Sequence, residues 1–361
     1  MKIAFIGQKG IPAKNGGVER YVESLALNLA SMGQEVFVYN RRGYLPERLK
    51  EFRGIKLISL PYLKNKNLAN ITHTFLANLH VLRYHVDIIH FQGIGPSLLG
   101  WLPRLLSKKV KVVATLHSFD YGNEKWGGFA KLMLRLGEKI MCHRADEVIV
   151  LTESMKAYVE HKYHRQANLI PNGANLYDQI GEDKIMAWGL SQNNYILSVS
   201  RLIKLKGLQY LIEAFKTLAT DKKLVIVGDG EYQAELEKLA GDNQRIIFTG
   251  NQTGRVLDQL YANAYLFVQA SEMEGLSISL LEAMAHQTAC LVSDIDANRE
   301  AINTAGFTFK VKDVSDLQNK LVNLLDDHSG VEEKAALAYE RVKENFSWPE
   351  ITKKVLAVYQ K

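Results

Sequence analysis

Residues 2–30, KIAFIGQKGIPAKNGGVERYVESLALNLA, run a short apolar segment, Lys2–Gly7, through a glycine-rich turn into a helix that begins near Val18 and Glu19. A strand that delivers the chain through glycine to a helix is one βα unit, and such units in series build a parallel sheet. The alternation recurs. In the first half, Val- and Ile-rich segments suited to strands fall at Lys2–Gly7, Glu35–Asn40, Ile55–Pro61, Val86–Gln92, Lys111–His117 and Glu147–Leu151. In the second half they fall at Tyr195–Ser200, Lys223–Gly228, Arg245–Thr249, Leu266–Gln269 and Ala289–Ser293. Each set is enough for one Rossmann-like sheet. The expected fold is therefore α/β with two Rossmann-like domains. Ile170–Asn175 (IPNGAN) supplies Pro and Gly without helical period and marks the linker, so the domains are placed at residues 1–170 and 171–345. After Ser347-Trp348-Pro349, the residues Ile351, Val355, Leu356 and Tyr359 follow at helical spacing, which predicts an amphipathic terminal helix over 346–361.

A chain of 361 residues exceeds what one core usually supports, and 47% apolar with 23% charged residues matches a folded soluble protein. MKIAFIG is too short for a signal-peptide core, and no stretch has the length of a spanning helix, so a cytoplasmic protein is expected, with any membrane contact peripheral at the inner face. Cys142 and Cys290 stand far apart with no Cys/His cluster, so neither a disulfide nor a metal site is expected. Charge divides unevenly. Residues 1–165 carry 25 Lys and Arg against 13 Asp and Glu, a net of +12; the remainder carries 20 against 26, a net of −6, giving the overall +6. A basic half attracts either nucleic acid or an anionic membrane. Nucleic acid leaves the acidic half unexplained, and the membrane reading places docking on Arg41–Lys66 and on Trp101–Lys109, where Trp101, Leu102 and Leu105 are equally consistent with core.

Four segments carry candidate chemistry. The glycine pair Gly16-Gly17 is expected at the donor, since it lets backbone N–H groups at a helix N-terminus approach a phosphate or sugar, although the turn is too long for the dinucleotide fingerprint and an ordinary surface loop would also use glycine. Arg201 and Lys206 share a loop between a strand and a helix whose buried stripe is Leu208, Leu211, Ile212 and Phe215, and two cations beside a helix N-terminus suit a diphosphate. In Ser271-Glu272-Met273-Glu274-Gly275-Leu276-Ser277, Glu274 sits at a turn, and Glu282 follows on the next helix among apolar neighbours, where a ribose would partner it. His117 and Asp120 end a strand at the edge where open α/β sheets bind ligands; His117 suits a sugar or phosphate, and Asp120 suits an acceptor hydroxyl as proton acceptor or simply caps the loop.

In combination, the glycine pair, the SRLIKLKG loop from Ser200 and EGLSISLLEAMA from Glu274 resemble the family 4 glycosyltransferases, retaining GT-B enzymes with a Glu-x7-Glu pattern. The resemblance spans nearly the whole chain. It implies a GT-B fold with two parallel sheets facing across a cleft, the first domain taking the acceptor and the second the nucleotide sugar, and a terminal helix that returns to the first domain. It implies Arg201 and Lys206 on the donor diphosphate, Glu282 on the ribose, Glu274 and His117 at the donor sugar, and Gly275, Leu276 and Ser277 at the phosphate. The base is implied near Gly228, Gly230 and Asn251. The donor is a nucleoside diphosphate sugar of UDP, dTDP or GDP type; no cofactor and no metal are expected. GQKGIPAKNGGVER is similar, more narrowly, to a bacterial subgroup that includes rhamnosyltransferases of capsule and cell-wall synthesis, which implies a glycan or lipid-linked saccharide acceptor. A sugar-nucleotide epimerase on the same fold is the alternative.

Overall fold

The computed structural model describes residues 1–361 apart from 15, 46–48, 66–67, 108, 120–126 and 178–179. It divides into one unit of Met1–Asn172 with Trp348–Lys361, and a second of Gly173–Ser347.

The first unit holds β1 (Lys2–Ile6), β2 (Glu35–Arg41), β3 (Glu51–Phe52), β4 (Ile55–Leu60), β5 (Ile88–Gln92), β6 (Lys111–Leu116), β7 (Glu147–Val150) and β8 (Asn168–Leu169). They form an eight-stranded sheet in the order β3-β4-β2-β1-β5-β6-β7-β8, parallel throughout except for the β3–β4 pair. The second unit holds β9 (Tyr195–Val199), β10 (Lys223–Val227), β11 (Ile246–Gly250), β12 (Leu266–Gln269), β13 (Cys290–Ser293) and β14 (Phe307–Phe309), ordered β11-β10-β9-β12-β13-β14 and all parallel. All eleven strands expected from the sequence are present, most with ends shifted by one or two residues. β3, β8 and β14 were not expected, and with two or three residues each they are too short to carry a pattern.

The central strands read as nearly continuous apolar runs because helices cover both faces of a parallel sheet. Ile3, Ala4, Phe5 and Ile6 in β1 and Ile196 and Leu197 in β9 are fully buried. The helix Leu208–Lys216 turns Leu208, Leu211, Ile212 and Phe215 onto the second sheet, as their spacing requires. The terminal helix Trp348–Gln360 packs in the first unit through buried Trp348, Ile351, Val355, Val358 and Tyr359; Leu356 is only half-buried. Burial of each large side chain there stabilises the unit by roughly 2 kcal/mol.

In both sheets the strand order reverses beside the first strand of the unit, between β1 and β5 and between β9 and β12. Ligands of open α/β sheets bind outside the carboxyl ends of the strands at such a reversal.

Candidate active site

In the second unit the loops leaving β9 and β12 bring most of the candidate residues together. Arg201 stands two residues beyond β9 and is exposed. Lys206 closes the same loop, and Gly207, at φ 67°, caps the helix Leu208–Lys216. From the β12 side Glu274 reaches back, and Lys206 Nζ donates to Glu274 Oε1 at 2.5 Å, with the two side chains only 18% and 10% exposed. Ser271 Oγ donates to the same oxygen at 2.6 Å. The helix Ile278–Ala285 then starts at Ser277, whose hydroxyl accepts from Leu280 N–H. Its positive end sits beside the Lys206–Glu274 pair's loop, where a departing diphosphate would be stabilised.

Beneath that loop lies a buried polar chain that sequence reasoning missed. Ser271 O accepts from Ser293 Oγ, and Asn298 Nδ2 donates to both Ser293 O and Ser293 Oγ. Asn298 Oδ1 accepts from Gln269 Nε2 at 2.7 Å, and Gln269 Oε1 accepts from Ser277 Oγ at 2.6 Å. The network therefore links Ser271, at the start of the β12 loop and bonded to Glu274, to Ser277 at its end. Polar residues at the carboxyl ends of β12 and β13 were its only sequence signal, and Asn298 reads there as an ordinary helix residue. Buried polar chains of this kind fix geometry because every member depends on its neighbours.

The remaining candidates of this unit occupy the same sheet edge. Gly228 follows β10 at φ 137°, and an added Cβ would lie 1.9 Å from Ser200 O, so only glycine lets the β9 and β10 loops touch. Gly230 is in the same turn, where Leu202 N–H donates to Asp229 O and Tyr232 N–H to Leu202 O. Asn251 is exposed just beyond β11. The buried hydroxyl of Ser200 has no hydrogen-bond partner among the described residues and stands at the end of β9, within the same group of loops. Glu282 lies one turn into its helix, half-buried, and Tyr261 OH donates to its Oε2 at 3.1 Å. Tyr261 in turn stacks on His286, which stacks on Tyr177 at 4.1 Å between centroids. The partner that a flanked carboxylate needs is thus supplied in part by the protein.

In the first unit, His117 leaves β6 at the carboxyl edge. Gln92 Nε2 donates to His90 O, which turns Gln92 Oε1 toward His117, and His117 Nε2–H donates to it at 2.9 Å. Burial lowers the His117 pKa to about 3, so the ring is neutral and Nδ1 is left as an acceptor. Tyr21 meets the ring edge-on at 4.8 Å, and Trp348 of the terminal helix packs against Tyr21. Asp120 lies outside the described residues.

The glycine turn is an anchored loop. Lys9 N–H donates to Glu19 Oε1, Ala13 N–H to Glu23 Oε2, Lys14 N–H to Tyr44 OH, and Ile11 exchanges hydrogen bonds with the Asn40 amide. Gly16, at φ 94°, caps the helix Gly17–Ser31, and a Cβ on it would lie 2.2 Å from Glu19 Oε2. Two carboxylates already occupy this turn. Arg41, expected at a membrane face, is half-buried over the Tyr62 ring, where burial lowers its pKa and the charge of Glu19 offsets part of that. Among the described residues no three His, Cys, Asp or Glu side chains converge as a metal site would require.

Known proteins share these halves. Residues 15–177 match the family model described as glycosyltransferase family 4, and residues 183–344 the one described as glycosyl transferases group 1. The UDP-Gal:alpha-D-GlcNAc-diphosphoundecaprenol alpha-1,3-galactosyltransferase of Escherichia coli is 27% identical over 67% of this chain and 67% of its own. Sucrose-phosphate synthase from Thermosynechococcus elongatus superposes with a TM-score of 0.85 at 23% identity, covering 99% of this chain and 98% of that one. HepE of Anabaena, solved with UDP-glucose, superposes with a TM-score of 0.82 at 18% identity over 100% and 99% of the two chains.

Proposed function

The chain belongs to the family 4 glycosyltransferases of GT-B fold, and from that premise we propose that it moves a hexosyl group, such as rhamnose, from a nucleoside diphosphate sugar to a glycan or lipid-linked saccharide of a bacterial surface polysaccharide. The observation that carries this reading is the β9–β12 reversal, where Arg201, Lys206 and the start of the helix Ile278–Ala285 meet Glu274.

The donor diphosphate takes Arg201, Lys206 and the backbone of Gly275–Ser277; the ribose hydroxyls take Glu282; the base lies along Gly228, Gly230 and Asn251. In the absence of donor, Lys206 is neutralised by Glu274. An arriving diphosphate competes for the ammonium and frees the carboxylate to accept from sugar hydroxyls, so one ion pair serves both halves of the donor. As the bond from the sugar to the phosphate oxygen stretches, charge grows on the diphosphate and the two cations stabilise it without a metal ion. The leaving phosphate oxygen takes the acceptor's proton on the same face, which retains the anomeric configuration. Asp120 is the alternative proton acceptor. His117, neutral with Nδ1 open, accepts from a hydroxyl of the donor sugar.

The acceptor belongs to the first unit. Its glycine turn, with Glu19 and Glu23 already bound to backbone N–H groups, suits hydroxyl groups better than a phosphate. The test is thermal stabilisation by UDP, dTDP, GDP, ADP and NAD, each with and without EDTA, since a ligand of the folded state raises its apparent stability. A selective shift with one nucleoside diphosphate, unchanged by EDTA, is expected. A shift with NAD alone would overturn the reading.

A further inference from the structure

Three segments of the first unit, residues 63–84, 94–111 and 127–145, hold nine of the sixteen large apolar side chains exposed among the described residues, so exposed apolar surface is concentrated there. The same segments contain eleven Lys and Arg and a single acidic residue, Glu138. Glu138 is fully buried, and its Oε1 accepts from Tyr158 OH, Tyr163 OH and Lys162 Nζ at 2.8, 2.5 and 3.0 Å. No described carboxylate of these segments therefore faces water.

The segments form one layer. The short helix Ile94–Ser97 lies between the helices Ala69–Val81 and Gly128–Arg144: a Cβ on Gly95 would meet Asn70 Nδ2 at 3.0 Å and Leu134 Cδ2 at 3.9 Å, and one on Gly137 would meet Ile94 O at 2.5 Å. Gly137, Glu138, Met141 and Cys142 are the inward face of Gly128–Arg144. Its outward face presents Phe129, Leu132 and Leu136, which are 77%, 58% and 41% exposed, and then Arg135 and Lys139 at the same spacing. Leu105, at 74% exposed, stands on the neighbouring helix Leu102–Leu106.

We propose that this helix layer docks on an anionic phospholipid bilayer, with Phe129, Leu132, Leu136 and Leu105 at the acyl boundary and the cations among the headgroups. Charge complementarity selects this occupant. A surface with many cations, whose partly exposed neighbour Asp146 is already held by Arg104, matches an anionic leaflet, and the apolar stripe is rewarded by an acyl boundary but not by a nucleic acid. The inference rests on the lipid-linked acceptor reading and names the surface that would bring the first unit to such an acceptor. It moves docking from the Arg41–Lys66 stretch, where Arg41 is half-buried, to the helices.

The experiment is flotation of the full chain, without donor, on vesicles of phosphatidylcholine alone and of phosphatidylcholine mixed equally with phosphatidylglycerol. Binding to the mixed vesicles only is expected. Arg135→Ala with Lys139→Ala should weaken it by about fivefold for each cation removed. Phe129→Ser with Leu132→Ser should weaken it by roughly tenfold or more. Each variant's thermal shift with nucleoside diphosphate is measured alongside and should match the parent. Equal binding to both vesicles, binding to neither, or variants that bind as the parent does while retaining the nucleotide shift would overturn the proposal. The donor reading fails separately, through loss of the nucleotide shift in the parent chain.

Discussion

The loops that leave β1 and β9 occupy the same place in their sheets, each at the reversal of strand order, yet they are filled oppositely. After β1 the turn bends back on itself and its N–H groups are taken by Glu19 and Glu23. After β9 the turn carries Arg201 and Lys206 and shares the single carboxylate of Glu274. Topology sets where a ligand sits; the charges that the loop contributes set which ligand it is. The contrast continues inside the sheets. The first unit is built around neutral imidazoles, with His73 and His90 fully buried and held at pKa values of about 4 and 3 by burial, whereas the strands of the second sheet carry no histidine.

That last difference gives the largest expected effect. A histidine near 6.5 when unfolded and near 3 or 4 when folded takes up its proton only on unfolding. Its contribution to stability is complete above about pH 6.5 and declines as pH falls toward the folded value. By pH 5 the loss is about 2 kcal/mol for each of His73 and His90, or about 4 kcal/mol together; His117, which is not fully buried, adds less. Amide exchange, corrected for the intrinsic effect of pH, should show β1, β5 and β6 losing protection between pH 7 and 5 while β9, β10 and β12 hold theirs. Equal loss in both sheets would dissolve the contrast.

The next effect falls on the loops themselves. Arg201→Ala should lower turnover at saturating donor by about a hundred- to a thousandfold, the usual cost of removing one donor to a developing oxyanion. Glu19→Gln, which leaves an acceptor for Lys9 N–H, should change turnover by less than about tenfold and act instead on stability, because it leaves Arg41 half-buried without its counter-charge. Steady-state kinetics on both variants decides the matter. If Arg201→Ala turned over normally, the β9 loop would have no claim to the leaving group.

A smaller change tests the polar chain beneath Glu274. Ser271→Ala removes one of two hydrogen bonds to Glu274 Oε1 and should lower turnover by about fivefold. Asn298→Ala strands Gln269 Nε2 and should cost about 1 to 3 kcal/mol of stability, read by denaturant unfolding. A turnover loss for Ser271→Ala with unchanged folding would separate positioning from packing.

These effects also mark what could be read from sequence. The strands and the Arg201, Lys206 and Glu274 cluster were legible because strand-to-helix turns place residues at one sheet edge whatever the side-chain detail. The Asn298–Gln269 link was not, because it depends on rotamers and on two strands brought side by side by topology. The filling of the glycine turn was hidden for a different reason. Glu19 and Glu23 are spaced one helical turn apart, which reads equally as a solvent-facing pair, and only the return of the loop over the helix shows that they bind backbone.

The smallest effect concerns Glu282, whose proposed ribose contact is prepared by Tyr261. A phenol donating to Oε2 fixes the carboxylate's plane, which orients it toward vicinal hydroxyls. Tyr261→Phe keeps the ring that stacks on His286 and deletes the hydrogen bond to Glu282, worth about 1 kcal/mol. Donor KM should rise about fivefold with turnover unchanged. The decisive comparison is UDP against its 2′-deoxy analogue by calorimetry. If Glu282 holds the ribose, the variant should lose more affinity for UDP than for the deoxy ligand, because half of the bidentate contact is already missing in the latter. Equal losses would place Tyr261 in the fold of the second unit and leave the ribose contact of Glu282 without support from its geometry.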